Sequence, residues 1–387
     1  MKIALDPKQL PSVTFACGPS QGLEAVRQTP LHKTFFERSH RAADISTDGL
    51  YKQTTDNLRL LLGLPQDYTV IFFPGGATAA LDAVVWNLTK DSISGLAFGA
   101  FSHLWNEKLA TRLGPTVHRS IRTPEEGAFF PKEKPDFNAS LVLLTPNETS
   151  TGVQIPDEYL ENAWNLRGKD TLIAWDITSC VGGRVLPPNK FDVMVFSLQK
   201  CFGAGGGTSV IILSPKAAQR LEETTDYRTV PYILDLKQAA QLAREKVQTV
   251  NTPCNTNLYM LNEACNWMNA HGGLNAMEKL CKQHADFLLR WAAKTDYLKP
   301  LIEQEAFRSF TTLTLQITDP SLRDTDISAA LQATGLPNLA DGVKKYKTVL
   351  QNSLRIACFP FVDVNGTDEY RKLTDTIDEI VRQLRNR

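Results

Sequence analysis

Lys200 stands in FDVMVFSLQKCFGAGGGTSVIIL, between a nearly all-apolar run and a glycine cluster that leads into another apolar run. Burial disfavours the charged ammonium, and a neutral amine can form a Schiff base with an aldehyde. A lysine at a sheet edge that keeps its head in water is the competing reading. Asp176 ends a second apolar run, TLIAWDITS, at the C-terminal strand end where open α/β sheets place their ligand crevices. A carboxylate there is costly without a partner, although a cap on the following turn would also account for it. The third feature is FFPGGATAALDAVVWNL, a strand that passes through Pro-Gly-Gly into a helix beginning near Ala77. Glycines let the backbone approach a ligand, and the open amides of a helix start favour a phosphate. Many such turns merely connect elements.

A phosphate-ready helix start, a carboxylate and a buried lysine are the three anchors required by pyridoxal 5'-phosphate (PLP), whose ring is an electron sink once a carboxylate keeps its nitrogen protonated. The GGAT turn is neither a GxGxxG fingerprint nor a P-loop, and a nucleotide-binding protein would leave Lys200 without a role. Cys180 and Cys201 flank the same motifs and raise a desulfurase reading. Both lie in sheet-linked segments, however, whereas such a nucleophile needs a mobile loop. The seven cysteines, at 17, 180, 201, 254, 265, 281 and 358, are scattered and odd in number with no zinc-like spacing, so no metal is expected and a reducing compartment is.

These residues need elements to position them. Six short apolar runs between about 68 and 213, YTVIFF, ISGLAF, SLVLL, TLIAW, FDVMVFS and TSVIIL, predict an α/β fold with a mostly parallel central sheet flanked by helices. Leu50, Leu58, Leu61 and Leu62 predict an amphipathic helix opened by Thr47 or Asp48. Helical stretches near 236–248, 256–271 and 274–295 follow, then TTLTLQI, a helix near 326–334, SLRIACF and a helix over 367–385. The expected division is a large α/β domain over 15–260 and a small C-terminal α+β domain over 261–387, with 1–14 packed against the latter and the active site between them. Among 387 residues, 42 Lys and Arg balance 42 Asp and Glu, so no global field favours nucleic acid or an anionic membrane. No run of about 18 apolar residues occurs and the first residues lack a continuous apolar core. A cytoplasmic protein with neither membrane nor nucleic acid as partner is expected.

The chain resembles the phosphoserine aminotransferases of the class-V, fold-type I PLP family. The resemblance rests on FACGPS, FFERSHRA, GGATAALDAV, FGAFS, PNETSTGV, WDITSCVGG, FSLQK, NTPCNTNLYML and NSLRIACFPFV, in that order over almost the whole chain. It implies that Lys200 holds PLP covalently and, once freed, shuttles a proton between the substrate Cα and the cofactor C4′, while Asp176 pairs with the ring nitrogen. It further implies that Thr149 donates to the ring oxygen and that Phe101 stacks on the ring, where many relatives have Trp. The phosphate falls to the amides of Ala77 and Thr78, the Thr78 hydroxyl and Gln199, with Asn251 and Thr252 reaching in from a second subunit of a homodimer. Arg355 corresponds to the clamp on the substrate α-carboxylate, a task suited to a planar charged fork. His40 and Arg41 correspond to a pair directed at the substrate's distal phosphate or carboxylate.

The implied reaction exchanges an amino group between glutamate and 3-phosphohydroxypyruvate. One departure bears on it: many relatives carry a second His-Arg pair six and seven residues before the clamping arginine, where this chain has Thr348 and Val349. Lys344, Lys345 and Lys347 are candidates for the missing charge, and a solvated face is the plain alternative. The rival functions are a class-V aminotransferase for an unphosphorylated amino acid, of the alanine or serine–glyoxylate type, and a non-catalytic PLP-fold binding protein.

Overall fold

The computed structural model describes residues 3–27, 49–224, 229–334, 345–346 and 350–386. The strands of the first part are β1 (Thr69–Pro74), β2 (Ser92–Leu96), β3 (His118–Arg122), β4 (Leu141–Leu144), β5 (Asn147–Glu148), β6 (Val153–Gln154), β7 (Leu172–Asp176), β8 (Val193–Ser197) and β9 (Thr208–Leu213). Seven of them form one sheet in the order β1-β9-β8-β7-β4-β2-β3. Only β9 runs antiparallel to its neighbours, β1 and β8; the remaining pairs are parallel. β5 and β6 make a separate two-stranded hairpin.

The apolar runs are continuous because both sheet faces are buried. Successive side chains alternate: Val70, Phe72, Val142, Leu144, Ile173, Trp175, Met194 and Phe196 point to one core, while Ile71, Phe73, Leu141, Leu143, Leu172, Ala174, Val193 and Val195 point to the other. The first face is covered by helices Leu50–Leu62, Asp157–Leu166 and Asn255–Ala270, and the second by Gly76–Leu88, Pro215–Thr224 and Leu236–Gln241. Helix Leu50–Leu62 follows Gly49 and buries Leu50, Leu58 and Leu61; Thr47 and Asp48 lie outside the described residues.

A second, antiparallel sheet holds β10 (Leu298–Pro300), β11 (Thr312–Ile317) and β12 (Ser353–Ala357) in that order. Against it packs helix Asp368–Arg385, whose buried Tyr370, Leu373, Ile377, Ile380 and Val381 recur at helical spacing. The N-terminal Ile3, Leu5 and Val13 join the same core, and Phe15 O accepts a hydrogen bond from Ala357 N at 3.0 Å. The position 260/261 falls inside helix Asn255–Ala270, whose Leu258, Leu261, Ala264, Cys265 and Met268 all serve the large sheet's core. Helix Gly273–Ala292 then passes from that core at Met277 to the small sheet's core at Ala285 and Leu288. Among the described residues no helix is long and apolar enough to cross a membrane.

Candidate active site

The C-terminal ends of β7 and β8 deliver Asp176 and, three residues past the strand, Lys200 to one cavity of about 400 Å³. Gly75, Gly76, Ala77, Thr78, Phe101, Thr149 and Gln199 line the same space. The turn after β1 needs its glycines: Gly75 and Gly76 have φ of 84° and 66°, in the left-handed region that a Cβ disfavours. Gly75 N donates to Gly207 O at 2.9 Å, which ties this turn to the strand after the lysine loop.

Lys200 is only 6% exposed. Its Nζ lies 3.4 Å from Thr149 Oγ1 and 5.2 Å from the centre of the Phe101 ring. Burial lowers its pKa to about 8 and the nearby Arg355 charge works in the same direction, against Cys17, Asp176 and Glu148. Burial likewise pushes the Asp176 carboxyl up, opposed by hydrogen bonds from Thr178 N at 3.1 Å and Thr178 Oγ1 at 2.6 Å. An amine and a carboxylate brought together in a space that disfavours both charges suit a ligand that bonds the first and protonates opposite the second.

The chain's own polar atoms fit PLP. Asn147 Oδ1, Ser197 Oγ and Gln199 Oε1 are buried beside the cavity without a hydrogen-bond partner, and helix Gly76–Leu88 starts with no side-chain cap. A phosphate and a ring oxygen are acceptors for the Ser197 hydroxyl and for the open amides of that helix start. A larger hollow of about 830 Å³ between 127–132 and 301–307 offers no such set. Its lysines, Lys132 and Lys299, are surface residues paired with Glu125 and Glu303.

The sequence profile of the family described as Aminotransferase class-V matches residues 26–336. The chain belongs to the class-V aminotransferases. A phosphoserine aminotransferase of Corynebacterium glutamicum (strain R) is 30% identical over 370 residues, spanning 95% of this chain and 94% of that protein. The crystal structure of a phosphoserine aminotransferase from Cytophaga hutchinsonii superposes with a TM-score of 0.78 at 25% identity, covering 95% of this chain and 98% of that one. The ureidoglycine-glyoxylate aminotransferase of Bacillus subtilis gives the same TM-score at 18% identity over 100% of this chain and 95% of its own, a likeness of fold alone. This aminotransferase is thus a PLP-dependent transaminase of fold type I.

Arg355 of this aminotransferase projects from β12 toward the same site. Its Nη1 donates to Thr149 O at 3.2 Å, and the guanidinium lies 4.8 Å from the centre of the Tyr346 ring. Asn251 and Thr252 line a separate hollow of about 290 Å³ that meets the Lys200 cavity only at Gly207. His40, Arg41, Lys344, Lys347, Thr348 and Val349 lie outside the described residues. Lys345 is turned to Asp324, at 3.5 Å, so its ammonium serves the start of helix Asp324–Gln332 and is absent from the cavity lining. Cys180 and Cys201 are buried, and burial raises both thiols, Cys180 to about 12. Neither is a thiolate nucleophile.

Sequence reasoning missed Thr178, Ser197 and Tyr346. Thr178 stands two residues after Asp176 in the quoted WDITS, a spacing from which a hydroxyl can bond back to a carboxylate. Tyr346 carries no local signal, since lysines flank it in the sequence.

Proposed function

We propose that this aminotransferase exchanges the amino group between glutamate/2-oxoglutarate and 3-phosphohydroxypyruvate/O-phosphoserine, a reaction of serine biosynthesis. Relatives of about 30% identity over nearly the whole chain bear the name phosphoserine aminotransferase, which supports the substrate pair. The carrying observation is the Arg355 guanidinium, fixed between a Thr149 carbonyl and the Tyr346 face, with its buried Nε left without a partner. A planar fork held this way beside Lys200 fits an α-carboxylate.

When bound, PLP supplies an aldehyde for the amino group and an electron-withdrawing ring that acidifies the substrate Cα–H. Lys200 Nζ, whose pKa burial lowers to about 8, would hold the aldehyde carbon and, once freed, would carry the proton between Cα and C4′. Asp176 holds the proton on the ring nitrogen, and Thr149 Oγ1 orients the ring oxygen. The Phe101 face packs on the ring, while the amides of Ala77 and Thr78, the Thr78 hydroxyl and Gln199 bind the phosphate. Arg355 orients the substrate so that its Cα–H faces Lys200. In this reading Asn251 and Thr252 complete the site of a second subunit in a cytoplasmic homodimer, and His40 and Arg41 meet the distal phosphate.

The test is a titration of the yellow holoenzyme with phosphoserine, alanine or serine, following the visible band. Conversion at the lowest concentrations of phosphoserine is expected. A protein indifferent to phosphoserine that responds to alanine or serine and regenerates with glyoxylate overturns this reading in favour of the unphosphorylated rival.

A further inference from the structure

Glu148 has no part in the chemistry above, yet it is fully buried, on β5, directly beside Thr149. It accepts five hydrogen bonds. Oε1 takes them from Ser150 N at 3.0 Å, Ser150 Oγ at 2.7 Å and Phe101 N at 3.4 Å. Oε2 takes them from Ser102 N and Ser102 Oγ, each at 2.8 Å. All five donors are neutral, and a carboxylate withdrawn from water persists only when its lone pairs are filled in this way. The approach is close enough to dictate a neighbour: a Cβ on Gly99 would lie 2.3 Å from Glu148 Cγ, so only glycine fits there.

The two oxygens join two segments of distant sequence. One is the helix start at Ala100–His103, which carries Phe101; its open amides favour a negative charge. The other is the turn directly after β5, which carries Thr149. Ser150 Oγ reinforces the junction by accepting from Ala100 N at 2.9 Å. Both segments face Lys200, through the Phe101 ring and through Thr149 Oγ1.

We propose that Glu148 is a positioning residue of the cofactor site, holding the Phe101 ring and the Thr149 hydroxyl in one frame around Lys200 and placing a fixed negative charge behind the cavity wall. That charge favours the protonated form of the Lys200 nitrogen. The proposal rests on the PLP site and is independent of which oxo acid is the acceptor.

The experiment is Glu148→Gln in the holoenzyme without substrate. A carboxamide has one acceptor oxygen in place of two, so one of the two serine pairs loses its partner. PLP dissociation is expected to rise about tenfold or more, as for loss of a hydrogen bond to a charged group. The pH midpoint of the visible band should move down, since a negative charge near the nitrogen is gone, and the visible circular dichroism of the bound cofactor should change. A variant that melts earlier but keeps the same midpoint, dichroism and PLP retention overturns the proposal. If Glu148→Gln does not fold, Ser102→Ala removes one donor and keeps the charge. It should release PLP severalfold faster and shift the visible dichroism, and equal retention with an unchanged dichroism overturns the proposal. If these spectral changes appear and phosphoserine still fails as a substrate, only the substrate reading falls.

Discussion

The cofactor half and the clamp half of the site are built differently. Asp176 ends β7 and Lys200 follows β8 by three residues, both strands being buried on both faces, so the sheet backbone and one short turn set their separation. Arg355 leaves the middle of β12, opposite Thr314, and is half-buried; its direction is set by one carbonyl and one aromatic ring. The difference separates chemistry from substrate anchoring. Moving the first pair means moving a sheet, whereas redirecting the second takes a few side chains, so the anchor can be altered while the reacting pair stays in place.

That separation can be broken by experiment. Lys200→Ala should cost the most, roughly 10⁴-fold or more in turnover with loss of the covalent yellow form; a variant that still converts phosphoserine would remove Lys200 from the centre. Asp176→Asn should lower kcat about 10³-fold, as for a buried charge aimed at the reacting group, measured by stopped-flow half-reactions. Arg355→Lys replaces the fork by a point charge and should cost about 10²-fold in kcat/KM for every amino acid while the cofactor spectrum stays as in the wild type. A changed spectrum would mean that the two halves are not separable.

A smaller effect comes from proton linkage in the cofactor-free protein. The Lys200 ammonium titrates at about 8 in the fold and near 10.4 in an unfolded chain. Between those values the unfolded state binds more protons, so stability rises with pH across that window. Lys200→Met should therefore stabilise the cofactor-free protein by up to roughly 3 kcal/mol at pH 7, a gain that fades toward pH 10.5; urea melts at the two pH values check this. Smallest of all, Phe101→Trp should tighten PLP retention by about 0.5–1 kcal/mol through the larger ring, read by dialysis.

The sequence makes the cofactor half legible because apolar runs bracket its residues. Six of the seven strands of the large sheet are such runs. The seventh, β3, reads HRSIR, an edge strand whose half-exposed side chains give no apolar period, and β10 has only three residues. The stretch near 236–248 is α-helical only over Leu236–Gln241 and continues in a wider turn to Lys246, ended by Val247 at φ 49°. Glu148 escaped notice for the opposite reason. It lies in a polar stretch, PNETST, where nothing local distinguishes a buried carboxylate from a solvated one; its burial comes from Phe101 and Ser102, nearly fifty residues away. The clamp half depends on Tyr346, which packs on Arg355 nine residues on and on Phe101, which is remote in the chain.

The reversal of β9 has a consequence for how the site comes into being. Because β9 lies between β1 and β8, the glycine turn at Gly75 meets Gly207 across more than a hundred residues of chain. Contacts of such sequence separation form slowly, since loop closure must precede any reward from pairing. On refolding, helix content should therefore return before the ability to capture PLP, and added PLP should pull the last step forward by binding only the finished sheet. The cofactor that this aminotransferase uses for chemistry would then also report the moment at which its farthest-separated strands have paired.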